Sequence, residues 1–189
     1  MKNFSYTIIN MRLSDFLDYL KIIIVAAVIV LPIRLLIFQP FLIQMSSMEP
    51  NFHQNDYLFV DELSYKLREP KRGEIIIFNP PIKSLRPYIK RIIGLSGEEI
   101  EIKDGQIVII KNGKQYILDE SAYLSKDIKT TGSLKVFLEE NEYFVLGDNR
   151  LNSSDSRIFG KITKKDIIGR AFLRVLPISG LGIIGAPVY

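Results

Sequence analysis

A continuous apolar run near the start of the sequence constrains this chain more than any other feature. From Ile22 to Phe38 the residues read IIIVAAVIVLPIRLLIF, and the only charge among them belongs to Arg34. A helix of this length spans roughly 25 Å, close to the hydrocarbon thickness of a bilayer. Because the run is apolar on all faces, it favours a transmembrane helix over a helix buried in a soluble core.

Basic residues around this run predict its orientation. Lys2, Arg12 and Lys21 precede it, whereas residues 39–65 contain no Lys or Arg. The positive-inside bias therefore predicts a cytoplasmic N-terminus, with the bulk of the chain on the extracytoplasmic face of the cell membrane. No small-x-small site follows the run, so we expect a retained anchor and not a cleaved secretory signal.

The remainder of the sequence is typical of a β-domain. After Pro40, short runs rich in Ile, Val, Tyr and Phe alternate with Gly, Pro, Asn and Asp. Strands are predicted near 57–61, 74–78, 87–94, 99–103, 106–110, 115–118, 142–146 and 167–175. Roughly 150 residues suffice for one hydrophobic core. We therefore expect a cytoplasmic N-terminus and anchor in residues 1–39 and one β-domain in residues 40–189.

Two dipeptides indicate tight hairpin turns within that domain. Asp104-Gly105 and Asn112-Gly113 lie between apolar runs, and both pairs readily adopt the positive φ angles of a two-residue turn. Residues 99–118 are therefore predicted to form a three-stranded meander. The expected fold class is mainly β, with antiparallel sheets and one N-terminal transmembrane helix.

Composition excludes several kinds of functional site. The sequence has no Cys, and His53 is its only histidine. Thiol nucleophiles, thiolate metal sites and disulfides are therefore excluded, and a zinc site lacks its usual ligands. The formal net charge of +4 is a mild basic excess that suits an anionic lipid surface at least as well as nucleic acid. We expect no metal, no cofactor and no nucleic-acid partner.

One serine pair is placed where a hydroxyl nucleophile would lie close to the membrane. The segment Ser46-Ser47-Met48-Glu49-Pro50 follows the apolar run almost directly. Taken alone, such a pair is more typical of a turn or a cap. A local Ser–His pair with His53 is a weaker alternative, because no acid that would orient the histidine is evident.

A predicted strand carries two adjacent basic residues, Lys90 and Arg91. Alternation puts Tyr88, Lys90 and Ile92 on one face and Arg91 on the other, so one cation must point where apolar neighbours point. Burial lowers the pKa of a lysine, and a neutral lysine can deprotonate a serine hydroxyl. From this strand alone, a solvated Lys90 beside an Arg91 that reaches the surface is the ordinary alternative.

A polar loop follows the apolar strand predicted at 142–146. From Gly147 to Arg157 it reads GDNRLNSSDSR and supplies hydroxyls, carboxylates and guanidiniums. Such a loop can be a plain turn. It can also hold a catalytic lysine in place through hydrogen bonds and an Asp–Arg pair.

In this order behind an apolar segment, the three motifs resemble those of the type I signal peptidase family. Ser47-Met48-Glu49-Pro50 is similar to the nucleophile box, Tyr88-Ile89-Lys90-Arg91 with Gly94 to the general-base strand, and residues 147–157 to the Gly-Asp-Asn-Arg loop. The match covers about residues 20 to 175. The family builds an all-β catalytic domain of coiled antiparallel sheets, which agrees with the strands predicted above.

The resemblance implies roles for individual residues. Ser47 would be the nucleophile, Lys90 the general base, and Ser153 a second hydroxyl that orients the Lys90 amine. Asp155 and Arg157 would form a supporting ion pair. Pockets for the −1 and −3 side chains of a signal sequence would be lined by Phe41, Ile43, Met45, Tyr88 and Ile89.

The family also implies a reaction and partners. The chain would be a membrane-bound serine endopeptidase that removes N-terminal signal peptides from exported preproteins after a small-x-small site. The substrate would bind as an extended strand beside residues 41–45. The expected partners are signal-peptide-bearing preproteins, the lipid bilayer and the secretion machinery.

One residue departs from the family pattern. Many members carry Ser, Thr, Gly or Asp two residues before the nucleophile, and a hydroxyl there can donate to the oxyanion, but this chain has Met45. The backbone N–H of Ser47 would then stabilise the oxyanion more nearly alone, unless Ser46 or a water substitutes. Loss of one oxyanion donor typically costs on the order of 10²-fold in rate.

Two rival interpretations remain at this point. A self-cleaving repressor-type protease also uses Ser and Lys on a related β-domain, but it would carry a DNA-binding helical domain where this chain has its apolar run. A non-catalytic membrane-anchored β-domain could instead bind lipid or a partner protein through the basic stretch from Lys66 to Arg91. Substitution of Ser47 would leave the function of such a module unchanged.

Overall fold

The chain divides into two compact units, Met1–Leu36 and Ile37–Tyr189. The computed structural model describes residues 13–36, 38–187 and 189. Every strand in the described part of the chain belongs to the second unit. The predicted mainly β fold class, with antiparallel sheets, is therefore confirmed.

The first unit contributes one described helix, α1, from Leu13 to Leu36. Across the residues that the structure describes, no helix is both long enough and apolar enough to cross a membrane. The run predicted as a span at residues 22–38 is also not helical to its end, because Phe38 begins the first strand. The membrane anchor therefore stays a prediction.

Eight strands of the second unit form one antiparallel sheet. Their order is β1-β2-β11-β3-β4-β9-β10, with β12 paired to β11 outside this path. The strands span Phe38–Leu42 (β1), Tyr57–Asp61 (β2), Ile75–Phe78 (β3), Tyr88–Gly94 (β4), Glu142–Leu146 (β9), Ile162–Thr163 (β10), Ile167–Leu176 (β11) and Gly182–Ile183 (β12). Strand β1 lies at one edge, whereas β4 lies inside the sheet between β3 and β9.

A second sheet contains the predicted meander. Its order is β7-β6-β5-β8, with bounds Glu99–Lys103 (β5), Gln106–Lys111 (β6), Lys114–Ile117 (β7) and Leu134–Phe137 (β8). Both turn pairs, Asp104-Gly105 and Asn112-Gly113, have positive φ at each residue, which confirms the two predicted hairpins.

Short helical segments complete the second unit. They are the helices α2 (Ser64–Leu67) and α3 (Ser156–Phe159) and the 3-10 turns Lys164–Asp166 and Ile178–Gly180. Helix α3 follows the polar loop after β9, and the Asp155 side chain caps it by accepting a hydrogen bond from the Arg157 N–H.

Apolar side chains from both sheets meet in a shared core. Ile100 and Ile109 of the smaller sheet pack with Phe144 of β9, so this cluster joins the two sheets. A second cluster contains Met48 and Ile89, next to the two residues predicted to be catalytic. Each fully buried side chain of this kind contributes about 1.5–3 kcal/mol of hydrophobic free energy. The segments that carry Ser47 and Lys90 are therefore held by the core itself.

The pairing of β4 leaves one side of its first half open. Strand β3 pairs with Tyr88 to Arg91, whereas β9 pairs with β4 only from Arg91 onwards. Residues 88–90 therefore have no strand partner on the β9 side among the described residues. Ser47 and the polar loop after β9 lie along this opening.

Candidate active site

Ser47 and Lys90 touch, although they lie 43 residues apart in the chain. Ser47 belongs to the loop between β1 and β2, and Lys90 to the interior strand β4. Lys90 Nζ donates a hydrogen bond to Ser47 Oγ over 2.6 Å and another to the carbonyl oxygen of Ile89 over 2.9 Å. Both residues are buried, Lys90 with 0% and Ser47 with 5% of its surface exposed. This is the geometry that a nucleophile and its base require.

The interior position changes the acidity of the lysine. Burial lowers the pKa of Lys90 from 10.5 to about 8, because the ammonium loses its hydration; Asp155 and Asp148 oppose the shift and Arg157 reinforces it. Among the ion pairs of the described residues, none includes Lys90. A large fraction of the amine is therefore neutral at pH 8, with a lone pair next to a hydroxyl.

Arg91 lies on the other face of the strand and, unlike Lys90, has a carboxylate partner. Its Nε and Nη2 donate to the two carboxylate oxygens of Asp148 over 2.8 and 2.6 Å, and its Nη1 donates to the carbonyl oxygen of Gly73. Asn51 adds a third hydrogen bond to Asp148. Two-point pairs of this kind are strong and directional, so Asp148 fixes the loop after β9 against β4.

That loop in turn holds the serine segment. The Asn149 N–H donates to the carbonyl oxygen of Ser47 over 3.0 Å, and its side-chain amide donates to the carbonyl oxygen of Ser46 over 3.1 Å. A Cβ added to Gly147 would collide with Ser153 Oγ and with the carbonyl oxygen of Ser47. The close approach of the two loops therefore requires glycine at position 147.

Asp155 and Arg157 form the ion pair that the sequence suggested. Arg157 Nη2 lies 2.8 Å from Asp155 Oδ2, and that oxygen also accepts the Gly147 N–H. Burial opposes ionisation of Asp155, but these hydrogen bonds and the Arg157 charge keep its pKa below the usual value. The pair lies close enough to act on Lys90 electrostatically.

Two of the predicted site residues are placed differently from expectation. Ser153 Oγ is buried against Gly147 and makes no hydrogen bond to Lys90 among the described residues; it interacts instead with Asp155 and helps to keep the pKa of that carboxylate low. Ile43 is fully buried in the core. It lies just after the end of β1 and lines neither of the two cavities beside the Ser47–Lys90 pair.

Two adjoining cavities form a cleft beside the Ser47–Lys90 pair. The catalytic cavity, of about 390 Å³, is lined by Gln44, Met45, Ser46, Ser47, Gln54, Tyr88, Lys90, Asn152 and Ser154. The apolar groove, of about 560 Å³, is lined by Pro40, Phe41, Leu42, Gln44, Met45, Ser84, Leu85, Arg86, Pro87, Tyr88 and Ile89. Of the residues predicted to line pockets, Phe41, Met45, Tyr88 and Ile89 therefore face this cleft.

Several residues that build the site were not assigned a role from the sequence. Asp148, Asn149 and Gly147 hold the serine segment, and Asn51 and Arg91 complete that network. For all of these except Asn51, the only signal was their presence in two of the three sequence motifs, because their partners lie far away in the sequence.

Comparison with known proteins agrees with this arrangement. Residues 16–176 match the family described as "Signal peptidase, peptidase S26", which includes the loop of Ser47, strand β4 and the loop after β9. The match covers well over half of the chain and confirms the resemblance seen in the motifs.

Individual relatives cover nearly the same length. The chain is 37% identical over 176 residues to "Probable signal peptidase I-2" from Synechocystis sp., covering 90% of this chain and 78% of the relative. It is 36% identical over 178 residues to "Signal peptidase I T" from Bacillus subtilis, covering 89% of each.

A crystal structure of a signal peptidase I from Enterococcus faecalis V583 is 34% identical to this chain, with a TM-score of 0.44. That match covers 55% of this chain and 97% of the other. Together, the family match over residues 16–176 and the two long alignments decide the assignment. The chain therefore belongs to the signal peptidase family, peptidase S26, and is a serine peptidase, a hydrolase.

Proposed function

We propose that this chain is a membrane-bound endopeptidase that removes N-terminal signal peptides from exported preproteins, with Ser47 as nucleophile and Lys90 as general base. The observation that carries the proposal is the 2.6 Å contact between Lys90 Nζ and Ser47 Oγ at the cleft. The names of the relatives, each a signal peptidase I, support the substrate class.

The first half of the reaction forms an acyl-enzyme. With the amine neutral, the Ser47 hydroxyl passes its proton to Lys90 Nζ while Oγ attacks the carbonyl carbon of the scissile peptide. The carbonyl oxygen becomes an oxyanion near the Ser47 N–H. When the C–N bond breaks, the Lys90 ammonium returns the proton to the departing amine of the mature protein.

The second half repeats the proton transfer with water. Lys90 removes a proton from a water molecule as it attacks the acyl carbon, and then returns that proton to Ser47 Oγ as the ester bond breaks. The signal peptide leaves as a carboxylic acid. Asp155 and Arg157 support this cycle by fixing the loop beside Lys90.

Substrate enters, in this proposal, as an extended strand. The apolar groove is lined by residues from both 40–45 and 84–89, so a peptide there would lie beside residues 41–45 as the sequence predicts. It could also pair with the backbone of residues 88–90, whose β9 side has no strand partner in the described part of the chain. Phe41, Tyr88 and Ile89 supply apolar contacts.

The apolar segment at residues 22–38 is proposed as the membrane anchor, with the N-terminus in the cytoplasm and the β-domain of residues 40–189 on the extracytoplasmic face. The distribution of Lys and Arg supports this orientation. Preproteins, the bilayer and the secretion machinery are the proposed partners. Alkaline carbonate extraction of membranes tests the anchor, because a peripheral protein would be released to the supernatant.

A cleavage assay on a detergent-solubilised full-length chain tests the catalytic proposal. The substrate is a preprotein with a small-x-small site, and the product is identified by its new N-terminus. Ser47→Ala and Lys90→Met are expected to lower kcat by at least 10⁴-fold, because both remove a group that takes part in bond making.

His53→Ala serves as the matched control, because the His53 side chain is exposed and makes no hydrogen bond to Ser47 or Lys90 among the described residues. This variant should keep the wild-type rate. Cleavage that survives Ser47→Ala, or that is lost in His53→Ala, would contradict the proposed pair.

A further inference from the structure

The oxyanion in this cleft has fewer evident donors than acyl transfer normally uses. Two or more hydrogen-bond donors usually surround the developing charge. The Ser47 N–H has no acceptor among the described residues, so it is available as one donor. Met45 faces the same cavity but carries a thioether, which cannot donate.

Ser46 is the hydroxyl nearest in the chain to that N–H. Its side chain lines the catalytic cavity together with Ser47 and Lys90. Its carbonyl oxygen is held by the Asn149 amide over 3.1 Å, so the backbone that carries the hydroxyl is fixed against the loop after β9. The backbone of Ser46 is therefore positioned by the same loop that positions the nucleophile.

Asn152 is a hydrogen-bond partner of the Ser46 hydroxyl. Its Nδ2 donates to Ser46 Oγ over 3.4 Å, so this oxygen is used as an acceptor. The hydroxyl proton has no acceptor among the described residues and is free to point into the cavity. Asn152 itself lines the catalytic cavity beside Ser46.

We propose that the Ser46 hydroxyl is the second oxyanion donor of this enzyme and that Asn152 is a positioning residue that holds it in the donating rotamer. The inference rests on the proposed function of Ser47 and Lys90. Met45 cannot supply a side-chain donor, and this inference gives that role to Ser46, the residue directly before the nucleophile. In the tetrahedral intermediate the Ser46 proton and the Ser47 N–H then bind the same oxygen.

Steady-state kinetics of the full-length protein in detergent test this assignment. Ser46→Ala is expected to lower kcat about 10²-fold with KM and the pH midpoint of the rate unchanged, because the lost bond forms only in the transition state. Asn152→Ala should lower kcat by about tenfold, equivalent to one modest hydrogen bond. The double variant should be no slower than Ser46→Ala, since Asn152 acts through Ser46. Ser46→Thr should restore most of the rate.

A peptide aldehyde gives a readout that does not depend on turnover. Ser47 Oγ adds to the aldehyde carbon, its proton passes to Lys90, and the carbonyl oxygen becomes an alkoxide at the oxyanion position. Ser46→Ala should weaken inhibition by a factor similar to its loss in kcat, whereas the matching peptide alcohol should bind the two enzymes equally. Ser125→Ala, at an exposed position outside the cleft, is the control for loss of a hydroxyl.

The outcomes separate this inference from the function on which it rests. If Ser47→Ala is inactive but Ser46→Ala keeps kcat within twofold, the oxyanion assignment is wrong and the dyad stands. The assignment is also wrong if the decreases in kcat of Ser46→Ala and Asn152→Ala add up in the double variant. It is likewise wrong if Gln54→Ala, and not Ser46→Ala, lowers kcat. If Ser47→Ala is itself active, the proposed function fails first. Unchanged melting temperatures of the variants exclude a folding defect as the cause of any loss.

Discussion

Lys90 and Arg91 are adjacent and both buried, yet only Arg91 has a carboxylate partner. Arg91 binds both oxygens of Asp148, whereas Lys90 contacts the Ser47 hydroxyl and the Ile89 carbonyl. The Arg91 guanidinium stays charged in any case, and Asp148 compensates that buried charge; Lys90 has no carboxylate partner, so burial favours its neutral amine. Alternation along β4 alone would not have separated the two roles.

The acidity of Lys90 should appear in the pH dependence of cleavage. With a pKa of about 8 the neutral base decreases tenfold for each pH unit below that value. We expect kcat/KM to rise with unit slope from pH 6 and to level off above about pH 8. Initial rates in buffers of constant ionic strength measure this profile. A rate that stays flat between pH 6 and 8 would exclude Lys90 as the titrating base.

The same shift predicts how stability changes with pH. The folded state releases the Lys90 proton at about 8 and the unfolded chain near 10.5, so between these values the unfolded state holds more protons and stability rises with pH. The charged lysine costs about 3 kcal/mol below pH 8. Urea unfolding of wild type and Lys90→Met should give a difference that shrinks as pH rises through this window. Parallel pH curves for the two proteins would contradict the burial argument.

Asp148→Asn should destabilise the fold strongly. The change leaves the buried Arg91 guanidinium without its counter-ion, and breaking a buried pair from one side typically costs about 3–5 kcal/mol. Chemical unfolding measures the loss, and the double variant Arg91→Met with Asp148→Leu should recover much of it because no charge remains buried. One ordinary hydrogen bond contributes roughly 0.5–1.5 kcal/mol. If the free energy of unfolding of Asp148→Asn lies within about 1 kcal/mol of the wild-type value, the pair is solvated and the prediction is wrong.

Gly147→Ala should impair catalysis more than folding. The added methyl group would push against the Ser47 carbonyl oxygen, and so would move the nucleophile relative to Lys90. We expect kcat to decrease at least tenfold, because misplacement by about 1 Å can cost 10²-fold in rate. Gly182→Ala is the matched control, since a Cβ there meets no atom within 4 Å. Equal rates for the two alanine variants would mean that the loops of Ser47 and Gly147 can move apart without a loss of activity.

Regular structure in this chain could largely be predicted from local patterns. The eight predicted strands are present as β2 to β7, β9 and β11, and none of their ends differs by more than one residue. The missed strands have weak local signals. Strands β10 and β12 are two residues long. Strand β1 begins at Phe38, the last residue of the apolar run, so no change in pattern marks its start. Strand β8, Leu134–Phe137, lies in a polar stretch with little to mark its ends.

The reactive residues of the candidate site could be predicted from the sequence, but the contacts that position them could not. Ser47 and Lys90 were singled out by residue type and by resemblance to a family. The Asn149 contacts with Ser46 and Ser47 and the Asp148 pair with Arg91 join distant segments, and no spacing rule predicts them. Ile43 was taken from the resemblance to the family, whereas in this chain its side chain is buried in the core and lines neither cavity of the cleft.

The burial of Lys90 also governs when this enzyme can first act. In an unfolded chain the lysine keeps its ordinary pKa, so at neutral pH its basic form is roughly 300-fold scarcer than in the finished domain. The loop that secures the serine lies about a hundred residues later in the chain, with Asn149 separated from Ser46 by 103 positions. Under the proposed mechanism, a chain that is still being synthesised therefore carries an inert serine, and proteolytic activity arises only with the completed tertiary structure.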